Sequence, residues 1–305
     1  MRNAFIDTAI AACAHRDDVF IIAGDAGLGV FDNFKETHPD RFINLGVAEQ
    51  NMASMASGLA MAGYKVFIYN IIPFVLYRCY EQIRNDICYQ DVPVVLVGIG
   101  SGLTYAPQGM THYSIEDIGL ARTLPNLTVI SPIDPMEAMA AARYALNARH
   151  PVYVRLAKRG EPNIHSIEPP DITMPQVVRD GSDVAIFFHG SIAEEAIKAA
   201  AELAEDNIHP RLVSMPMIQP INEQGVADVL KGIKTAITVE EHYANCGFGD
   251  IFIKTLIKHP KVTQIETLGI PPRFIHEIKD TKGMRDFFGI SSPFIVKTVK
   301  KYYNR

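Results

Sequence analysis

Metal-type cysteine spacing, basic clusters and long apolar runs are all missing from this chain, and each absence removes a class of function. The four cysteines in 305 residues (Cys13, Cys79, Cys88 and Cys246) show no ligand spacing. Cys79 and Cys88 share one apolar stretch, so they read as small core residues in a reducing, cytoplasmic compartment. Lysine and arginine never gather beyond Lys300-Lys301 and the short Lys158-Arg159, which leaves no footprint for nucleic acid. A net charge of -5 is that of a soluble chain with no special partner. No run is long enough to span a bilayer. Residues 1–15 carry charges among their apolar positions and read as an amphipathic helix, not a signal peptide. Glycines follow a strand at 24–29, but neither the dinucleotide spacing nor a Lys-Ser/Thr pair comes after them, which excludes a Rossmann or phosphate loop.

What is present is an ordinary globular composition, 48% hydrophobic and 21% charged, on a chain long enough for two cores. Strand patterns at 19–23, 41–44, 65–69, 92–98, 127–131 and 152–156 alternate with helical patterns at 4–15, 48–62, 74–89, 114–123 and 135–148. The unbroken apolar run at 92–98 is that of a parallel strand covered on both faces. Pro162, Pro169, Pro170 and Pro175 then fall in a polar stretch ending at Asp180-Gly181, which reads as a linker. A second α/β pattern follows, with strands at 184–188, 211–214, 236–240 and 262–266 and helices at 192–204, 223–231, 250–258 and 293–303. The expected fold class is α/β, two consecutive open and largely parallel sheets flanked by helices. The divisions are residues 1–165, a linker at 166–182, and residues 183–305.

Two stretches carry candidate chemistry. At 44–52 a β-branched and aromatic run stops at Gly46, and a small-residue helix begins at once, so Glu49 sits in a first turn at the carboxyl end of a strand. Ligands bind there in open α/β sheets, although an acid in a first turn also complements the helix dipole. The second is the long irregular loop 100–112 after the 92–98 strand, a length that points to a functional loop. Its His112 precedes Ser114-Ile115-Glu116-Asp117, which resembles a capping box. A loop histidine satisfied by backbone is the plain alternative for His112, as core packing is for Phe74 and Tyr77 in the apolar helix 74–89.

Residues 41–52, Arg-Phe-Ile-Asn-Leu-Gly-Val-Ala-Glu-Gln-Asn-Met, and 56–63, Ala-Ser-Gly-Leu-Ala-Met-Ala-Gly, resemble the pyrimidine-binding domain of transketolase-family thiamine diphosphate enzymes. The likeness runs along essentially the whole chain. It implies that Glu49 touches the aminopyrimidine ring and helps it reach its reactive imino form. An aromatic residue, Phe74 first and Tyr77 second, would stack on that ring; aligning Arg78 to Asp86 places Val75 where the aromatic is usual. Arg78 is implied for substrate. Gly109-Met110-Thr111-His112 is similar to the family's Gly-Pro-Thr-His, so His112 would exchange protons with the sugar oxygens or polarise them. Two positions depart: Gly100 stands where sugar-phosphate transketolases place a second histidine, and Gln108 where they place an aspartate on the donor hydroxyl. Arg159 matches a substrate-phosphate arginine, with a solvated basic loop as the alternative. Glu240-Glu241-His242, followed by Gly247 and Gly249, resembles a structural signature of the family's C-terminal domain.

The family holds magnesium, and through it the diphosphate, with Gly-Asp-Gly and Asn-Asn on a separate domain, and this chain has neither. The resemblance therefore implies the C-terminal subunit of a split transketolase, active with a second subunit that carries the diphosphate and magnesium site, in an α2β2 assembly. It would pass a two-carbon ketol unit from a ketose to an aldose, the substrates being sugars or sugar phosphates. The alternatives are the β subunit of a 2-oxo acid dehydrogenase, a deoxyxylulose-phosphate-synthase-like enzyme, which shares a helix like Tyr80-Glu81-Gln82, and a non-catalytic partner of a thiamine enzyme.

Overall fold

A computed structural model describes residues 1–158, 160–257, 262 and 264–303. Its strands are, in chain order, β1 (Val19–Ala23), β2 (Phe42–Asn44), β3 (Lys65–Ile71), β4 (Val94–Ile99), β5 (Thr128–Ile130) and β6 (Val152–Leu156), then β7 (Gln176–Arg179), β8 (Ala185–Phe188), β9 (Arg211–Ser214), β10 (Met217–Gln219), β11 (Thr235–Tyr243) and β12 (Gln264–Ile270). They form a seven-stranded sheet in the order β10-β5-β6-β4-β3-β1-β2 and a five-stranded sheet in the order β12-β11-β8-β9-β7. All pairings are parallel except β10 with β5 and β7 with β9. This is the expected two-sheet α/β architecture. β1, β4, β5 and β6 are buried at every position because helices cover both faces of the first sheet.

Strand order places a crevice. β1 lies between β2 and β3. The chain therefore leaves β1 toward one edge of the sheet and leaves β3 toward β4 and the other edge. Where successive connections diverge in this way, the carboxyl ends of the strands are left open to a ligand.

Three sequence expectations need correction. The linker at 166–182 contains β7, an edge strand that pairs with β9. The connection between the strand expected at 211–214 and the helix expected at 223–231 contains β10, flanked by Pro216 and Pro220, which leaves the second half and joins the first sheet beside β5. Prolines are tolerated there because an edge strand donates to one side only. The stretch 74–89 is not one α-helix but a π-helical turn (Pro73–Tyr77), a single α-helical turn (Tyr80–Gln82) and a second π-helical turn (Ile83–Cys88). The break falls at Cys79, whose φ of -114° and ψ of 24° leave the helical region. The helices Asp32–Thr37 and Thr281–Phe288 lie where the sequence pattern predicts none, and elsewhere the differences are at element ends: the helix expected at 250–258 is Phe248–Leu256, with Lys258 outside the described residues, and the last strand is Gln264–Ile270. Among the described residues no helix is long and apolar enough to cross a membrane.

Candidate active site

Glu49 is the first residue of the helix Glu49–Met61, one short loop beyond β2. That loop turns on Gly46, whose φ of +66° a side chain would disfavour. The Asn44 side-chain oxygen accepts from the backbone N–H of Gly46 (2.9 Å) and of Asp25 (3.0 Å), tying the ends of β1 and β2 together. The Glu49 carboxylate is only 4% exposed. Its two oxygens each lie 3.0 Å from Arg78 Nη1, and one lies 3.4 Å from Asn70 Nδ2. Asn70 sits near the end of β3 and also donates to the Gly24 carbonyl at the end of β1 (2.7 Å). Glu49 therefore reaches into the crevice that the strand order opens.

Beyond Glu49 a line of side chains continues outward. The Arg78 guanidinium carbon lies 4.4 Å from the centre of the Phe74 ring. The His112 ring meets Phe74 edge-on with centres 5.8 Å apart, and meets Tyr105 at 6.3 Å. Lys158 Nζ lies 4.8 Å from the Tyr105 ring centre. Phe74 is half-buried in this line, whereas Val75 is wholly buried in the core. Phe74, the aromatic the sequence puts first, faces the cleft from within the π-helical turn Pro73–Tyr77. Cys79 is no nucleophile, because burial, with the Glu49 charge adding to it, pushes its thiol up to about 12.

The loop that carries His112 is fastened from both halves of the chain. Gly100 and Ser101 donate to the Leu156 carbonyl at 2.8 and 3.1 Å. Arg155 Nη2 donates to the Ser114 carbonyl (3.2 Å) and to the Glu241 carbonyl (3.0 Å). Thr281 Oγ1 donates to the Leu103 carbonyl (3.1 Å), and Tyr243 N–H donates to the Ile115 carbonyl (2.9 Å). Glu240, Glu241 and His242 are all buried in this frame. Glu240 accepts from Phe248 and Gly249 N–H at the start of the helix Phe248–Leu256, Glu241 pairs with Arg285 at 2.6 Å, and His242 Nε2 accepts from Gly119 N–H at 3.2 Å.

The structure separates the remaining sequence candidates. Tyr77 joins a different group: its hydroxyl donates to Glu116 (3.2 Å), and burial together with the nearby Asp117 charge raises its phenol well above the usual value. Gln108 is exposed at the end of a short 3-10 turn, Ala106–Gln108. Arg159 lies outside the described residues. Ser114 to Asp117 is not a capping box. Ser114 Oγ donates to the Gly100 carbonyl, and Asp117 accepts from Arg155 Nε and Tyr153 Oη, both at 2.7 Å, because a buried guanidinium demands a carboxylate. The helix there runs only Asp117–Ala121, so His112 stands five residues before it. At Gly100, with φ +88°, an added Cβ would lie 2.0 Å from the Tyr105 ring, so Tyr105 fills the place a side chain there would take.

Sequence reading missed Asn70, Tyr105 and the Asp117–Arg155 pair. Asn70 and Arg155 did leave a signal, each being a polar residue in an otherwise apolar parallel strand, where a buried polar group must have a partner. Tyr105 left none that separates it from other loop aromatics. Among the described residues no three His, Cys, Asp or Glu side chains come together as a metal-binding group.

Comparison with known proteins places residues 1–162 in the family Transketolase, pyrimidine binding domain, and residues 175–293 in the family Transketolase, C-terminal domain. The chain is 33% identical over 301 residues to one of the subunits of apulose-4-phosphate transketolase from Actinobacillus succinogenes, covering 97% of this chain and 96% of that one. It is 29% identical over 273 residues to 1-deoxy-D-xylulose-5-phosphate synthase of Caldanaerobacter subterraneus subsp. tengcongensis, covering 89% of this chain and 43% of that enzyme. A solved structure described as a split gene transketolase, inactive beta4 tetramer, superposes with a TM-score of 0.88 at 26% identity, over 99% of this chain and 97% of that one.

Proposed function

The chain belongs to the transketolase family, and from that premise we propose how it works as the C-terminal half of a split, thiamine-dependent transketolase. Together with a second subunit it transfers a two-carbon ketol unit from a ketose to an aldose. The observation that carries this reading is Glu49, a buried carboxylate at the strand-order crevice, set beside the half-buried face of Phe74 with His112 on the ring's edge.

The donor set fits an aminopyrimidine. Such a ring needs an aromatic face to lie on and a buried carboxylate toward its ring nitrogen, and Phe74 and Glu49 supply the two. When bound, thiamine diphosphate supplies the nucleophilic carbon and the electron sink for breaking and remaking a carbon–carbon bond. The protein's part is positional and electrostatic. Glu49, fixed at the head of its helix with Asn70 beside it, holds or shares a proton at the ring nitrogen. Phe74 keeps water from that face of the ring. His112, on a loop fastened to both halves, moves protons at the sugar oxygens.

The magnesium ligands belong to the partner, because the sequence lacks Gly-Asp-Gly and Asn-Asn. Partner dependence is supported by two observations: the Actinobacillus relative is named as one subunit of its enzyme, and the solved β4 tetramer is named as inactive. We place the two subunits in an α2β2 assembly in the cytoplasm, where four unpaired cysteines are at ease. The substrate differs from ordinary transketolase sugars at two contacts. Tyr105 fills the space at Gly100, and Gln108, which donates as well as accepts, replaces an aspartate. A sugar or sugar phosphate remains the substrate class, with Arg78, Gln108 and His112 around it, and Arg159, outside the described residues, is the proposed contact for a phosphate.

The test is reconstitution with the partner, thiamine diphosphate and magnesium, followed by a ketol-transfer assay. Glu49→Ala should lower turnover by about 100- to 10,000-fold with the far-ultraviolet dichroism unchanged, since an essential proton-transfer group contributes on the order of 10²–10⁴. Wild-type rates in that variant would remove the assignment. Formation of deoxyxylulose phosphate from pyruvate, instead of ketol transfer, would move the chain to the synthase reading.

A further inference from the structure

We propose that Arg78 is an internal stand-in for the cofactor's ring, holding the slot between Phe74 and Glu49 and leaving it when thiamine diphosphate binds; this rests on the function proposed above. The guanidinium makes the two contacts an aminopyrimidine needs at this place. It lies against Phe74 with its central carbon 4.4 Å from the ring centre, and it donates to both oxygens of Glu49 at 3.0 Å. A guanidinium is planar, delocalised and edged with N–H donors, and so is a protonated aminopyrimidine. One slot cannot hold both planes, so binding of the ring is an exchange.

The two partners of the pair are built differently, and that decides which one moves. Glu49 is 4% exposed at the head of a thirteen-residue helix with Asn70 against it, so it stays. The Arg78 side chain is 43% exposed and can rotate out into solvent without shifting the backbone. A buried carboxylate without a partner is costly. Arg78 supplies that partner until the ring arrives, which keeps the slot formed. The cost of this arrangement is affinity. If the chain with Arg78 turned out is about a tenth of the population, the apparent dissociation constant is raised about tenfold over that of an open slot.

Isothermal titration of thiamine diphosphate with magnesium into the reconstituted complex measures this directly, independent of turnover. Arg78→Gln, which cannot form the ion pair, should bind the cofactor about tenfold more tightly than wild type. Arg78→Lys keeps the charge but loses the flat face, and should fall between them. Thermal unfolding of each complex without cofactor checks that both variants are folded. Unchanged or weaker binding in Arg78→Gln overturns the stand-in while leaving the transketolase reading intact. If the wild-type complex binds no cofactor at all, the transketolase reading fails and the stand-in falls with it.

Discussion

Phe74 touches the side chains on both sides of the cleft, Arg78 with its Glu49 partner on one and His112 on the other, and its neighbour Tyr77 does not share that place. The two aromatics therefore predict different phenotypes. Phe74→Leu should weaken cofactor binding roughly tenfold through lost ring stacking. Tyr77→Phe should leave cofactor affinity unchanged and lower stability by about 1 kcal/mol, the value of one hydrogen bond to Glu116. Titration calorimetry and urea unfolding of both variants give the comparison, and the reverse pattern would make Tyr77 the stacking residue. His112→Ala should lower kcat by about 100-fold with cofactor affinity intact. An equal loss in both would give His112 a structural role. Glu49 and His112 were legible in the sequence because each sits in a short distinctive string. Phe74 was placed first as well, but its contacts with Arg78 and His112 were not legible, because a π-helical turn leaves no mark in composition.

Elements of the first sheet are also held by buried polar groups, and one such group makes stability depend on pH. Asp134 caps the helix Pro135–Asn147 by accepting from Glu137 N–H (2.9 Å), and also accepts from the Ile164 and His165 N–H groups. Glu137, wholly buried, has its carboxyl raised to about 7 by desolvation. His165 is raised above its usual 6.5 by its hydrogen bond to Asp134. A raised carboxyl means that the native chain holds a proton the unfolded chain has released between pH 4.5 and 7. The contribution of this group is therefore full below pH 4.5 and is lost as pH rises through 7, by about 3 kcal/mol, while the lowered Asp134 beside it acts the other way, its contribution being lost in acid. The raised histidine acts in the same direction as Glu137, its contribution being present below 6.5 and lost above its raised value. Glu137→Gln should flatten the decline between pH 5 and 7 in urea unfolding. An unchanged slope would show that Glu137 ionises freely.

At the scale of the molecule, the first sheet is completed by a strand from the second half, and the His112 loop is fastened by residues of that half. β10 beside β5 and Arg155 bonded to the Glu241 carbonyl make the two sheets one support for the cleft. Asp117→Ala leaves the fully buried Arg155 without its carboxylate and should cost about 3–5 kcal/mol. It should also reduce kcat, because Arg155 then no longer fixes the Ser114 carbonyl near the His112 loop. Thermal unfolding and the ketol-transfer assay report the two effects. Thiamine diphosphate should bind with useful affinity only when the partner is added, and tight binding to this chain alone would place the diphosphate grip here.

Local order along the chain determined the elements, the two-sheet class and the family. Apolar period, glycine stops and the 41–63 string are properties of neighbouring residues, and neighbours are what a sequence displays. Tertiary structure alone decided that a proline-flanked segment would become β10, that His112 would meet Phe74 edge-on, and that Arg78 would lie on Phe74 against Glu49. Those outcomes depend on side chains up to 38 residues apart at the site and on strands almost 90 residues apart in the sheet meeting in one low-dielectric space. There a buried charge must find a partner, and the partner is chosen by where the strands bring it.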